Sequence, residues 1–490
     1  MKRHPAALEQ AFDLLVVGGG VYGAWTAWEA SLRGLRTALI EAEDWATATS
    51  SRSSKLLHGG LRYLERGEVG LVRKALVERE RLLRLGPHRA WPLRFLVPAT
   101  PEARYRGLAL ALGLWAYDHL APPGLGTRRA EPWTRRQVLQ GAPFLHPATA
   151  GAWTYGDAGT DDARLVVELV DGVLQAGGVA VNGARLVDLC QTAGRITGGV
   201  VVCDGVPRRV AARAVVITAG PWAATVAGLP RSACRLTKGV HVTLPPLPLA
   251  AALATEPTAL LLNHPRDGRV FFMIPWYDAT VVGTTDTDTD DPHAGPTEDD
   301  IAYLVEGVAA ACPGLGWGRS TVRGAWAGVR TLVAAEGAAS AVSREWSLAQ
   351  PHAGLWVSLG GKLTSARVEA ERIVTAVAEV LGYRTAPATR QQPLPWAPTV
   401  PWPTARAQAL AEGARRGLPP LVAETALRRH GRRIAALWQR LDQHPEEARC
   451  LDPRVPITQA DLALAAEEML LPGADPRTRT PLALLVGARA

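Results

Sequence analysis

The 490-residue chain carries 54 Lys and Arg against 46 Asp and Glu, a formal charge of +8, with 47% hydrophobic and 20% charged residues. At about 150 residues per domain the length leads to about three domains, and the composition excludes collagen-like, coiled-coil and wholly disordered classes. The basic excess favours acidic partners such as anionic lipid or phosphorylated substrates, while its diffuse spread and the lack of a recognition motif argue against nucleic acid. No stretch reaches the roughly 18 uninterrupted apolar residues of a membrane span, and the first residues contain no cleavable apolar core, so neither a span nor a signal peptide is expected. Cys190, Cys203, Cys234, Cys312 and Cys450 are scattered, with no CxxC pair for a metal, a cluster or a redox disulfide. That usage fits a reducing cytoplasm and no metal site.

Phe12 to Val17 is an apolar run of strand length ending at Gly18-Gly19-Gly20-Val21-Tyr22-Gly23, and Ala24 to Leu32 is helix-like. A second strand, Thr37 to Ile40, closes at Glu41, 23 residues beyond Gly18. Strand, GxGxxG, helix, strand and acid make a dinucleotide-binding unit. Gly18 permits the tight turn, Gly20 admits a pyrophosphate, Gly23 packs helix on strand, and Glu41 accepts from ribose hydroxyls. The unit does not separate FAD from NAD. Next comes the run Thr49-Ser50-Ser51-Arg52-Ser53-Ser54-Lys55-Leu56-Leu57-His58-Gly59-Gly60. Its hydroxyls and glycines suit a planar cofactor and its phosphates.

Gly107 to Tyr117 is an 11-residue apolar run preceded by Arg104 and Arg106. It is too short to span a bilayer, and reads either as a buried core helix or as a helix lying at a membrane interface. Ala214 to Gly220 is another strand ending in small residues, so one early fingerprint and one late return imply a discontinuous cofactor domain with a substrate domain inserted. Pro393, Pro395, Pro398, Pro401 and Pro403 fall within eleven residues and read as an extended linker. Beyond it, Ala405 to Arg416 and Leu421 to Leu441 are helical, and Arg428, Arg429, Arg432 and Arg433 share one side that reads as a solvated face ahead of a docking surface.

The run from Thr49 continues through Leu61-Arg62-Tyr63-Leu64 and closely resembles the flavin-side signature of the FAD-dependent glycerol-3-phosphate dehydrogenases. Further blocks follow in that family's order: Thr160 to Leu165, Ala219-Gly220-Pro221-Trp222, Lys238-Gly239-Val240-His241, Ile274-Pro275-Trp276, Gly283 to Asp286, Trp326 to Arg330, Ser343-Arg344-Glu345 and Gly360-Gly361-Lys362-Leu363-Thr364. The resemblance implies an α/β fold: a Rossmann-like FAD-binding domain of glutathione-reductase type, an inserted antiparallel-sheet substrate domain and a small C-terminal helical domain. The expected division is an oxidoreductase region over 1–390, a Pro-rich linker over 391–404 and a helical domain over 405–490. Within the first, the FAD-binding parts are about 10–85, 150–230 and 335–385, and the cap parts about 86–149 and 231–334.

By the same resemblance FAD is held by Gly18, Gly20, Gly23, Glu41, Thr49, Ser50, Ser51, Ser54, Lys55, His58, Gly60, Ala219, Gly220, Gly361, Leu363 and Thr364. Arg62, Tyr63, Arg344 and Lys362 take the substrate, their cations suiting a phosphate monoester. His241 is expected to remove the carbinol proton, with Arg330 as the competing candidate and as stabiliser of the developing alkoxide. The implied reaction converts sn-glycerol 3-phosphate to dihydroxyacetone phosphate. Electrons pass to a quinone, the protein being cytoplasmic or peripheral at the inner face of an anionic membrane, with a homodimer left open. Two departures touch substrate identity: Thr331 stands where the family usually has Pro, and Ala366 where it commonly has Tyr. Pro472-Gly473 and Pro476 interrupt the last helix of the C-terminal domain, so a shortened or degenerate domain is expected. Two rivals stand beside this reading: a paralogous flavin oxidoreductase or oxidase acting on another hydroxy or amino compound, and a flavin-binding protein without turnover.

Overall fold

The computed structural model describes residues 1–65, 67–100, 103, 107–122, 129–250, 253, 256–333 and 345–487, Arg62 through its backbone alone. Its first sheet has eight strands. Phe12–Val17 lies centrally, parallel to Thr37–Ile40 on one side and to the end of Val206–Ile217 on the other. Val179–Val181 and Leu355–Gly360 extend the parallel core, and Trp346–His352 runs antiparallel at the far edge. All six residues of Phe12–Val17 are buried, which is the continuous apolar pattern of a strand covered on both faces. On one face it meets the helices Val21–Leu32, Asp162–Gln175 and Ala366–Leu381. On the other, Leu15, Val17 and Val215 pack against Val201 and Val210 of the meander formed by Ala184–Thr192, Arg195–Cys203 and Val206–Ile217. Each large aliphatic side chain taken fully from water there contributes about 1.5–3 kcal/mol before ordering costs.

The second sheet has ten strands and is antiparallel except where Thr258–Asn263 runs parallel to Ala90–Pro98. Gly151–Thr160 belongs to it, paired along the whole length of Ala90–Pro98. The expected division assigns residues from 150 onward to the dinucleotide unit, but a nine-position ladder with Ala90–Pro98 holds this strand in the other sheet.

Two C-terminal expectations change. The Pro-rich stretch has no regular element before Trp402–Arg415, yet it is not a loose linker. Leu394 and Trp396 are buried; the Trp396 indole N–H donates to Asp171 at 2.7 Å, and Arg433 lies 4.3 Å above its ring. Two arginines of the expected solvated face, Arg428 and Arg429, also turn inward, while Arg432 is exposed. Arg428 sits 4.8 Å from the ring centre of Trp91 and 5.0 Å from that of Trp402, and Arg429 pairs with Asp461 at 2.8 Å. For Arg428 and Arg429 the solvated-face reading fails because the indoles of Trp91 and Trp402 and the carboxylates of Glu424 and Asp461 supply what their guanidinium groups need. After Gln459–Ala466 the chain closes with the short helix Leu482–Val486, whose Leu482 and Leu485 join the core under the second sheet.

Candidate active site

A cavity of ≈ 580 Å³ is walled by both sheets. One arm is the glycine turn after Phe12–Val17. Gly18 has φ +110°, and a Cβ there would lie 2.8 Å from the Thr218 backbone; a Cβ on Gly23 would lie 1.8 Å from the Gly18 carbonyl oxygen. Gly18 therefore lines the cavity, while Gly23 works behind it by letting helix meet strand. Gly20 also lines the wall, and Ser50 Oγ accepts from the Val21 N–H at 2.9 Å at the start of the helix. Glu41 accepts from the Gly19 N–H at 2.6 Å and the Glu43 N–H at 2.8 Å. Burial pushes its carboxyl above the usual range, and those two N–H groups oppose the shift.

The other arm is floored by the second sheet. Across it the registered neighbours Trp326, His241, Gly283, Phe272 and Leu261 form one row. His241 is buried, stacked on Trp326 with centroids 5.4 Å apart, and its Nε2 is 2.8 Å from Ser54 Oγ. Gly283 makes room for it, since a Cβ there would lie 2.3 Å from His241 Cδ2. Burial first, then the charges of Arg330 and Lys55, hold this imidazole well below its ordinary value, so it is neutral at pH 7. Its Nδ1 is buried with no hydrogen-bond partner among the described residues.

Arg330 donates to Thr284 Oγ1 at 2.8 Å and to Asp286 Oδ1 at 3.2 Å. Its guanidinium occupies the space over Gly239, where a Cβ would lie 2.0 Å from Nη2. Lys362 Nζ lies 3.4 Å from the ring centre of Tyr63. His58 is held by its N–H, which donates to Thr364 Oγ1 at 3.1 Å, and its ring meets Phe272 edge-on.

The cavity thus brings together, from the predicted set, Gly18, Gly20, Glu41, Thr49, Ser50, Ser54, His58, Gly60, Tyr63, Ala219, Gly220, His241, Arg330, Gly361, Lys362, Leu363 and Thr364. Three predicted cofactor residues are off its wall. Besides Gly23, Ser51 turns its hydroxyl back onto the Ala48 carbonyl at 3.2 Å. Lys55 is buried, donating to Asp162 at 2.7 Å and to the Ser51 carbonyl at 2.5 Å, with Trp276 4.9 Å from its Nζ. It braces the serine loop from behind. Arg344, Arg104, Arg106 and the Arg62 side chain lie outside the described residues. Of the departures, Thr331 lines the cavity and Ala366 is in the core.

Sequence reasoning missed Thr218, Arg269 and Phe272, all on the wall. Phe272 is reachable only through strand register. Arg269 donates to the Asp286 carbonyl at 2.9 Å, so Asp286 organises two arginines at once, through its backbone and its carboxylate.

Residues 13–367 match the family described as FAD dependent oxidoreductase. The chain belongs to that family. FAD is the cofactor of this flavoprotein, and the cavity's own chemistry fits it: a turn that a Cβ would fill, a half-buried acid, a loop of hydroxyls and an aromatic floor. Among relatives, glycerol-3-phosphate dehydrogenase 2 of Mycobacterium bovis is 37% identical over 399 residues, covering 78% of the flavoprotein and 66% of the relative. The aerobic glycerol-3-phosphate dehydrogenase of Staphylococcus saprophyticus is 34% identical, covering 76% and 68%. The flavoprotein thus spans about two thirds of their lengths. Among solved structures, glycerol-3-phosphate dehydrogenase from Bacillus halodurans, complexed with FAD, superposes with a TM-score of 0.74 at 26% identity, over 99% of this chain and 87% of that one.

Proposed function

We propose that this FAD-dependent oxidoreductase oxidises sn-glycerol 3-phosphate to dihydroxyacetone phosphate. The observation that carries the reading is the presence on one cavity of a neutral buried imidazole, His241, with two cations, Arg330 and Lys362. Bound FAD supplies the hydride acceptor. Glu41 and the turn at Gly18 and Gly20 would hold its adenosine diphosphate half, while Ser50, Ser54, His58 and Leu363 would line the remainder. His241 accepts the hydroxyl proton from the substrate, its neutral state providing the unprotonated ring nitrogen that a base requires. Arg330 stabilises negative charge on the carbinol oxygen, its fork held by Thr284 and Asp286. Lys362, with Arg62 and Arg344, binds the phosphate.

We further assign electron delivery to a quinone at a membrane surface. Support comes from the helix Gly107–Leu120, which buries Leu110, Leu114 and Tyr117 while Leu108 is 75% exposed, Leu112 58% and Trp115 61%. These three lie at i, i+4 and i+7, one apolar stripe facing outward as an interfacial helix requires. No helix among the described residues is long and apolar enough to cross a membrane.

The test is anaerobic. Protein with its flavin oxidised is mixed with sn-glycerol 3-phosphate, and bleaching of the flavin band is followed. Rapid bleaching is expected; a flavin reduced by dithionite but untouched by this substrate would overturn the reading. Reoxidation much faster by a ubiquinone analogue than by oxygen is expected for the acceptor, and the reverse order would make the protein an oxidase.

A further inference from the structure

Three helices meet behind the turn that carries Lys362. Tyr22 comes from Val21–Leu32, Glu369 from Ala366–Leu381 and Lys74 from Val69–Leu85. The Lys362 backbone N–H donates to the Tyr22 phenol oxygen at 2.9 Å, the Tyr22 hydroxyl donates to Glu369 Oε2, and Lys74 Nζ donates to Glu369 Oε1 at 2.6 Å. The phenol and the turn are in direct contact. Gly361 has φ +89°, and a Cβ on it would lie 1.7 Å from the Tyr22 oxygen, so only glycine fits there. Tyr22, Gly361 and Lys362 all line the cavity.

The chain of donors has one sense. Burial and the Glu369 charge keep the Tyr22 phenol protonated, well above its ordinary value. It therefore donates to Glu369, with the Lys362 carbonyl as a longer second acceptor at 3.4 Å, and accepts from the Lys362 N–H. Glu369 is buried and Lys74, whose side chain is partly exposed, compensates its charge. Nothing in the binding of a dinucleotide by GxGxxG calls for a phenol at its third variable position. What the phenol touches instead is the backbone of the residue whose ammonium stands over Tyr63.

We propose that Tyr22, Glu369 and Lys74 are positioning residues that set the Gly361–Lys362 turn so that the Lys362 ammonium meets the phosphate of the substrate. The proposal rests on the substrate reading above. It links the dinucleotide fingerprint to substrate affinity through a side chain at a variable position of the motif.

The test is a double-mutant cycle on the FAD-loaded protein with sn-glycerol 3-phosphate, using Tyr22→Phe, Lys362→Met and the pair. Tyr22→Phe removes every hydrogen bond of the phenol. It is expected to raise KM about tenfold, more than it lowers kcat, with FAD content retained. Affinity for inorganic phosphate, read from the flavin difference spectrum, is expected to fall by a similar factor. In the Lys362→Met background Tyr22→Phe is expected to add less than about twofold. Lys74→Met, at a partly exposed position, is expected to raise KM about threefold and serves if Tyr22→Phe does not fold. An unchanged KM and phosphate affinity, or the same factor in both backgrounds, would overturn the relay. A wild-type protein that does not turn over sn-glycerol 3-phosphate would overturn the substrate reading instead.

Discussion

Gly283 is where the catalytic reading is most exposed to refutation. In Gly283→Ala the new methyl carbon would lie 2.3 Å from His241 Cδ2, and ordinary van der Waals contact begins near 3.4 Å, so the imidazole must retreat by about 1 Å. The ring cannot absorb this by rotating freely, because Trp326 is stacked against it and Ser54 holds its Nε2 at 2.8 Å. A displacement of about 1 Å at a proton-accepting group costs about 100-fold in rate, or about 2.7 kcal/mol of barrier. Overpacking adds about 1–3 kcal/mol of destabilisation. The assay is stopped-flow bleaching under anaerobic conditions, with FAD content and thermal unfolding as controls. The double variant Gly283→Ala/His241→Ala is expected to be no slower than His241→Ala alone, since the methyl then has nothing to displace. A Gly283→Ala protein that loads FAD and bleaches at the native rate would remove His241 from the proton transfer.

Three further outcomes follow from the same geometry. Glu41→Gln weakens FAD binding about tenfold in a fluorescence titration, because the amide replaces one of the two oxygens that accept from Gly19 and Glu43 and repels an N–H. Trp396→Ala lowers the urea midpoint by the equivalent of about 3–5 kcal/mol, since its indole is fully buried and anchors the C-terminal helices; a loss confined to those helices in hydrogen exchange would show that they unfold separately. Stability falls in two stages on acidification. Burial depresses His88, His241 and His430 in the folded state, so the unfolded chain binds protons first and stability declines as pH drops below about 6.5. Burial opposes the charges of Glu168 and Glu468, but His88 and Arg89 for the first and Arg164 and Arg433 for the second outweigh it and hold each at about 2. Their contribution is complete above about pH 4.5 and is lost as pH falls toward 2; urea midpoints flat between about pH 8 and about pH 4 would refute the assignment.

The sequence by itself determined what local spacing determines. Gly18, Gly20, Gly23 and Glu41 lie within one strand–helix–strand unit, so their roles follow from local chain geometry. The blocks around His58, His241, Arg330 and Lys362 were legible as motifs, together with the flavin class they imply. Only the tertiary structure decided which of them share a wall. The row from Trp326 through His241 and Gly283 to Phe272 exists because four strands pair in one register, and no periodicity within any one of them foretells that register. Lys55 reads as a cofactor cation in the motif and becomes a buried brace once Asp162 arrives from another helix. Arg428 and Arg429 read as a solvated face for the same reason in reverse, since helical spacing gives the side they share but not the indoles and carboxylates that meet them. A charge's role depends on its partner, and here the partners stand tens to hundreds of residues away.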